Sequence, residues 1–340
     1  MLDLSNLNKI KIDLNEGTVW VQAGATLGQL YYAIAKKSNV HGFPGGVCFS
    51  IGTGGIISGG GIGTLMRKFG LAADNVVDVR GGGGASFGVI LAWKLKLVRV
   101  PDKVTVFTVY KRLEGNQNLL KKWENIAHQL PDKLLIRVII QNDGTDNEKY
   151  VEIIFQALRT NESLEVLLEK SIPTQKNYFK ATSDFVKTPI PESGWEMVKR
   201  LFLEEERPQM ILEPLGGILD KISESEIPFP HRKGNLYNIQ YLVNWGDNSE
   251  SISSQKITWM RKLYKKMEPY VAKSPRSAYL NYRDLDFGTN SEDYSYSKAK
   301  IWGEKYFKGN FERLAKVKSE VDPKNFFRNE QSIPPYHTDS

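Results

Sequence analysis

The chain has 340 residues, enough for two domains and a sizeable core. Its 41% hydrophobic and 25% charged content belongs to an ordinary globular protein and excludes a low-complexity chain. Lys and Arg number 46 against 39 Asp and Glu, and the net charge of +7 is scattered rather than blocked. That scatter reads as a solvated basic surface, with an anionic polymer as the alternative, and nucleic-acid binding is not expected.

A single cysteine excludes an intrachain disulfide. No stretch reaches the ~20 apolar residues of a transmembrane helix, so no membrane partner is expected. The first residues, MLDLSNLNKIKIDL, lack a basic region followed by an apolar run and do not read as a signal peptide. Asn161-Glu162-Ser163 is a glycosylation sequon that matters only in a secreted chain.

Residues 10–23 predict two short strands joined at Asn15-Glu16-Gly17. Thr26 to Lys37 predicts a helix capped by Thr26, with Leu27, Leu30, Tyr31 and Ile34 on one face. Gly70 to Val79 predicts a turn into a strand, and Ile90 to Val98 a strand ended by Pro101. Val104 to Tyr110 predicts a further strand, and 116–128 a helix with Trp123 and Ile126 inward. Leu134 to Gln141 and Tyr150 to Gln156 predict strands joined through Asn142-Asp143-Gly144. Between Arg159 and Pro214 the pattern weakens, with helices expected at 163–169 and 192–206. Leu236 to Asn244 is a clear alternating strand. Ser251 to Met267 is an amphipathic helix with Ile252, Ile257, Met260, Leu263 and Tyr264 on its apolar side. Tyr279 to Tyr282 predicts a short strand, and Ser297 to Val321 one long helix ended by Asp322-Pro323. The fold class is α+β, with the domain boundary expected near Pro101. Trp20, Trp123, Trp245 and Trp302 are expected in cores.

Ten glycines crowd the stretch from Gly42 to Gly63 around the lone Cys48. Such a run makes a poor helix and a poor strand. It makes a good cradle, because bare N–H groups can line up on an anion such as a pyrophosphate. A thiol beside the cradle could attach a cofactor, although a lone cysteine is usually a small buried hydrophobe. The GxGxxG fingerprint of a βαβ unit and the Walker lysine are both absent. His41, His128, His231 and His337 show no metal spacing, so no metal is expected.

The segments GATLGQLYYAIAKKS, HGFPGGVCFSIGTGG, SGGGIGTLMRKFGLAADNVVDV, RGGGGASFGVILAWKLKLVRVP, SESEIPFPHRKGNLYNIQYLVNW, PRSAYLNYRDLDFG and VDPKNFFRNEQSIPP together resemble the berberine bridge enzyme-like flavoproteins of plants. The resemblance implies a vanillyl-alcohol-oxidase-type FAD-binding domain over 1–101 and 300–340, incomplete at its N-terminal side. It implies a substrate domain over 102–299, an antiparallel sheet covered by helices. It also implies FAD as cofactor and hydride transfer from a small organic substrate to flavin N5. Electrons then pass to O₂ or another acceptor. A monomer is expected, and the family's location is the cell wall or vacuole.

By the same resemblance, Cys48 bonds to the isoalloxazine C6. Gly24, Ala25, Thr26, Leu27 and Gly28 line the cofactor with Gly46, Gly52, Gly54, Gly55, Ser58, Gly59, Gly60, Gly61, Gly63 and Asn281. Tyr282 is the candidate base, Gln240 a substrate-side residue, and Arg137 a cation for a tyrosinate. The chemistry is reasonable, since a phenol with a pKa of ~10 needs a nearby cation to act as a base near neutrality.

Three departures accompany the resemblance. The family carries a segment ahead of Met1 with an RSGGHD-like motif, whose histidine makes a second flavin bond. It also carries segments at the Val79–Arg80 and Leu158–Arg159 junctions. Phe49-Ser50 replaces Pro-Thr, and Ile56 stands in place of a histidine. A truncated copy with impaired flavin binding is therefore the alternative expectation.

Overall fold

The computed structural model describes residues 2–82, 84, 86–142, 150–157, 177–247 and 249–336. The first strands form where alternation predicts them. β1 (Ile10–Asp13) and β2 (Thr18–Gln22) pair antiparallel. α1 (Leu27–Lys37) opens on Thr26, whose hydroxyl accepts from Gln29 N while the Gln29 side chain accepts from Thr26 N. Such reciprocal caps contribute about 1 kcal/mol.

After β3 (His41–Gly42) the glycine-rich run forms a short helix, α2 (Thr53–Ser58), where no regular element was expected. Thr53 and Ile57 are buried there, and that apolar anchorage outweighs glycine's poor propensity. α3 (Met66–Phe69), β4 (Val76–Gly81), β5 (Ile90–Lys96) and β6 (Val98–Arg99) follow. The strands make an antiparallel sheet in the order β1-β2-β5-β4, with β3 paired to β6. Val19, Val21 and Leu95 point into a core shared with Leu27, Leu30, Ile34 and Ile57. Trp20 alternates to the opposite face. It is half-buried under the Arg80 guanidinium, 4.3 Å from the ring centroid, rather than in a core.

The second part is a six-stranded antiparallel sheet. Its elements are β7 (Phe107–Arg112), α4 (Gln117–Ile126), β8 (Ile136–Asn142), β9 (Val151–Ala157), β10 (Tyr178–Val186), α5 (Glu192–Leu203), β11 (Pro208–Pro214), β12 (Tyr237–Trp245) and α6 (Glu250–Met267). The spatial order is β10-β12-β11-β8-β9-β7. Tyr237, Ile239, Tyr241 and Val243 of β12 pack with Leu120, Trp195, Phe202, Met260 and Leu263 from the three helices. The opposite face of this sheet carries Asn238 and Gln240.

β10 and β11 were not anticipated. β10 buries Ser183 and Asp184, and β11 opens on a proline, so neither shows the usual apolar alternation. The helix expected at 163–169 lies outside the described residues, as do Asp143, Gly144 and His337. Ile126 is 42% exposed rather than inward, because Leu120, Trp123 and Ala127 define the buried face of α4. β7 begins at Phe107, three residues later than expected.

The expected final helix is two helices, α7 (Tyr296–Phe307) and α8 (Asn310–Val321). Lys308 takes a left-handed φ of 47° between them, which lets Phe307 and Phe311 both reach one core. Residues Tyr279 to Tyr282 are not a strand; Leu280–Tyr282 form a single 3₁₀ turn.

Buried charge joins the two parts. Arg232, fully buried, donates to Asp74 through both terminal nitrogens, at 2.8 and 2.6 Å. Arg67, 1% exposed, donates to the backbone carbonyls of His128, Leu130, Pro131, Leu134 and Leu215.

Candidate active site

Two properties distinguish the glycine-rich run: a bare exposed strip and a rigid backing. Cys48, Ile51, Gly52, Gly55 and Ser58 are exposed. A side chain added at Gly52 or Gly55 would meet nothing within 4 Å, so the backbone there faces open space. The Cys48 thiol is free and lies 3.3 Å from the Ser50 hydroxyl. At the far end Ser58 donates to Gly54 O, and Gly84 packs against the Ser58 side chain.

The backing explains most of the other glycines. A side chain at Gly63 would collide with the carbonyl of Gly45, and one at Gly59 with Asn281 Oδ1. At Gly63 glycine permits backbone to lie on backbone, and at Gly59 it admits the Asn281 amide. Ala25, Leu27 and Gly28 are buried, and their N–H groups already donate to Gln22 O, Ile51 O and Phe49 O. Gly24 N donates to Leu7 O, Thr26 N to Gln29 Oε1 and Gly54 N to Ala23 O. Gly46 is buried with its carbonyl held by Tyr31 Oη at 2.7 Å. Gly60 and Gly61 are likewise buried. These residues support the strip; Cys48, Gly52, Gly55 and Ser58 form its surface.

One turn couples the strip to the six-stranded sheet. Tyr279, 1% exposed, accepts at its hydroxyl oxygen from Gly61 N (2.9 Å), Ile62 N (3.1 Å) and Asn281 Nδ2 (2.7 Å). Asn281 Nδ2 also donates to Ile56 O at 3.0 Å. Tyr279 N donates to Ser183 Oγ, and Ser183 is the cross-strand neighbour of Gln240. A continuous path of hydrogen bonds and pairing thus runs from the glycines to the Gln240 face. Tyr279 was not anticipated, although it stands three residues before Tyr282 in the same AYLNYRD segment. Burial lifts its phenol to about 12 despite the three donors.

Tyr282 packs edge-on to Tyr279, ring centroids 5.0 Å apart. Burial and then the Glu213 charge push its phenol well above its ordinary value, and Arg137 opposes them only in part. Arg137 is therefore near enough to act on Tyr282, yet the balance holds the phenol neutral, the reverse of what a base needs. Arg137 is engaged by Gln156 Oε1 at 3.0 and 2.8 Å and by Glu213 at 3.6 Å. Gln240 is half-buried on the same sheet face, beside Ile211 of β11.

Tyr279→Phe is expected to lower flavin retention by roughly tenfold, the effect of losing about 1.4 kcal/mol. It leaves Gly61 and Ile62 N–H groups without a buried partner. Equilibrium dialysis of flavin against chains that also carry Cys48→Ala, with and without Tyr279→Phe, measures it under reversible binding, and equal retention would show that the turn does not set the strip's shape.

The strip fits a flat cofactor with a pyrophosphate. It offers open backbone without side chains, and an accessible thiol at one end for attachment. Among the described residues no cluster of three His, Cys, Asp or Glu side chains is placed to hold a metal ion, and no helix is long and apolar enough to cross a membrane.

Comparison with known proteins identifies the pieces. The family model for the FAD binding domain matches residues 1–81, and the model for berberine and berberine-like proteins matches residues 278–334. Berberine bridge enzyme-like 22 of Arabidopsis thaliana is 46% identical over 400 aligned positions, covering 98% of this chain and 76% of the relative. Tetrahydroberberine oxidase of Berberis wilsoniae is 42% identical over 407 positions, covering 99% and 76%. The solved structure of BBE-like #28 from Arabidopsis thaliana superposes with a TM-score of 0.91 at 37% identity, covering 98% of this chain and 82% of that one.

Proposed function

Because the chain belongs to the berberine bridge enzyme-like family of FAD-linked oxidoreductases, we propose that it oxidises a small organic substrate held between the glycine strip and the Gln240 face. The substrate classes that suit the face are an alkaloid, an aromatic alcohol or a carbohydrate. Half-buried Ile139, Ile211 and Leu242 offer an apolar bed, and Gln240 adds amide donors and an acceptor beside it. One relative is named for oxidising tetrahydroberberine.

Held by Cys48, Gly52, Gly55 and Ser58, FAD would supply the redox chemistry, a hydride acceptor at N5 with O₂ or another acceptor to reoxidise it. This chain's residues do the remainder. Cys48 tethers the flavin, Gly52, Gly55 and Ser58 bed it, and Asn281 with Tyr279 fixes the loop beneath. Gln240 orients the substrate, and Tyr282 donates a hydrogen bond as a neutral phenol. The observation that carries the reading is the path of hydrogen bonds from Gly61 through Tyr279 to Ser183, which is paired across the strands with Gln240.

A second reading has its own support. The alignment to berberine bridge enzyme-like 22 spans 400 positions against 340 residues here, so that relative has residues with no counterpart in this chain. β4 is an edge strand with Val77 and Val79 exposed by 55% and 40%. On this reading the chain is an impaired copy that binds flavin weakly. The visible spectrum of the purified chain decides between them. A near-stoichiometric flavin band that bleaches with an alcohol or amine substrate supports oxidation, and a colourless folded chain after flavin loading supports the impaired copy.

A further inference from the structure

The sheet face that carries Gln240 also carries a buried acid. Glu213 of β11 stands opposite Asn238, two residues along β12 from Gln240. It is 8% exposed. Its charge partner is Arg137, at 3.6 Å. Arg137 sends its shorter bonds, from Nε and Nη2, to Gln156 instead. An ionised carboxylate offers about four acceptor positions. One long contact leaves much of that capacity unused on a group already removed from water.

The groups facing Glu213 come from three elements. β8 supplies the Arg137 cation, the 279–282 turn supplies the phenols of Tyr279 and Tyr282, and β12 supplies Asn238, which does not titrate. Gln240 cannot take a proton at neutral pH. Tyr282 is held neutral, and Arg137 is already a cation. Among these side chains the carboxylate alone can accept a proton. Burial raises its affinity for one, and Arg137 opposes that rise.

We propose that Glu213 is the proton acceptor of this site, and that it takes its proton from a hydroxyl of an alcohol whose apolar body rests on Ile139, Ile211 and Leu242. The substrate O–H bond breaks, its electron pair stays on oxygen, and the proton binds a Glu213 carboxylate oxygen. Arg137 then faces a neutral acid. The assignment rests on the oxidoreductase reading, but it can be tested apart from it.

The first arm needs no flavin. The infrared carboxyl band that is present in the full chain and lost in Glu213→Gln is followed as pH falls from 8 to 4. A band that grows in above the ordinary glutamate range of about 4.3 supports the proposal. A band that titrates with the exposed carboxylates overturns it. The second arm uses the flavin-loaded chain and an aromatic alcohol. Glu213→Gln should lower kcat by ~100-fold or more with KM within about threefold, and should flatten the acid limb of the pH profile. Glu213→Asp should restore part of kcat together with that limb. Unchanged kcat in Glu213→Gln overturns the proposal. Wild-type chain that never turns over counts against the oxidoreductase reading, and the infrared arm then decides on Glu213 alone.

Discussion

Replacing Arg67 by methionine is expected to lower unfolding free energy by at least about 4 kcal/mol, read from urea denaturation at pH 7. The side chain is 1% exposed and serves five carbonyls: His128, Leu130, Pro131, Leu134 and Leu215. Methionine nearly matches its volume and supplies no donor. Each buried acceptor left without a partner costs about 1–3 kcal/mol, less where water can enter, so the five do not simply add. Lysine keeps the charge and three donors but not the planar fork, and should recover roughly half of the loss. A methionine variant within 1 kcal/mol of wild type would show that the 128–134 loop closes its own carbonyls without Arg67.

The second large effect concerns attachment. In the wild-type chain, flavin is expected to stay with the polypeptide after acid precipitation, and in Cys48→Ala to be released into the supernatant almost completely. The thiol is free and exposed at one end of the strip, which is the geometry attachment requires. Without the bond, occupancy in the native protein depends on flavin concentration through mass action. Dilution followed by desalting should therefore strip flavin from the variant and leave wild type coloured. Flavin that remains on the denatured Cys48→Ala chain would identify a different attachment residue.

The elements with strong periodicity were legible without coordinates. Thr26 caps α1, β12 alternates from Tyr237 to Trp245, and α6 keeps the apolar stripe that includes Met260 and Leu263. What could not be read depended on partners distant in sequence. β10 buries Asp184 because Arg276 binds it through two nitrogens, at 2.7 and 2.6 Å, from 92 residues away. The split between α7 and α8 follows from a single left-handed residue at Lys308, which no propensity announces. At the site, the Cys48 motif and Asn281 were legible as words. The division of the glycines into surface and backing was not, because it depends on which carbonyl lies behind each one. Glu213 was hidden for the same reason. Its partners Arg137 and Asn238 come from strands that only the sheet order brings together.

The bidentate Asp74–Arg232 pair has a consequence for how molecules come and go. A hinge that opened the two halves would have to separate a fully buried cation from its anion in a poorly hydrated interior. Breaking such a pair costs about 3–5 kcal/mol, which would make an open conformer scarcer than one molecule in a hundred. Ligand traffic should then follow the exposed flank of the glycine strip, with the halves staying clasped throughout turnover. Rates of entry and exit would be set by diffusion to that flank and side-chain movement on it, with no slow step of domain opening, unlike those of a protein that gates by jaw motion.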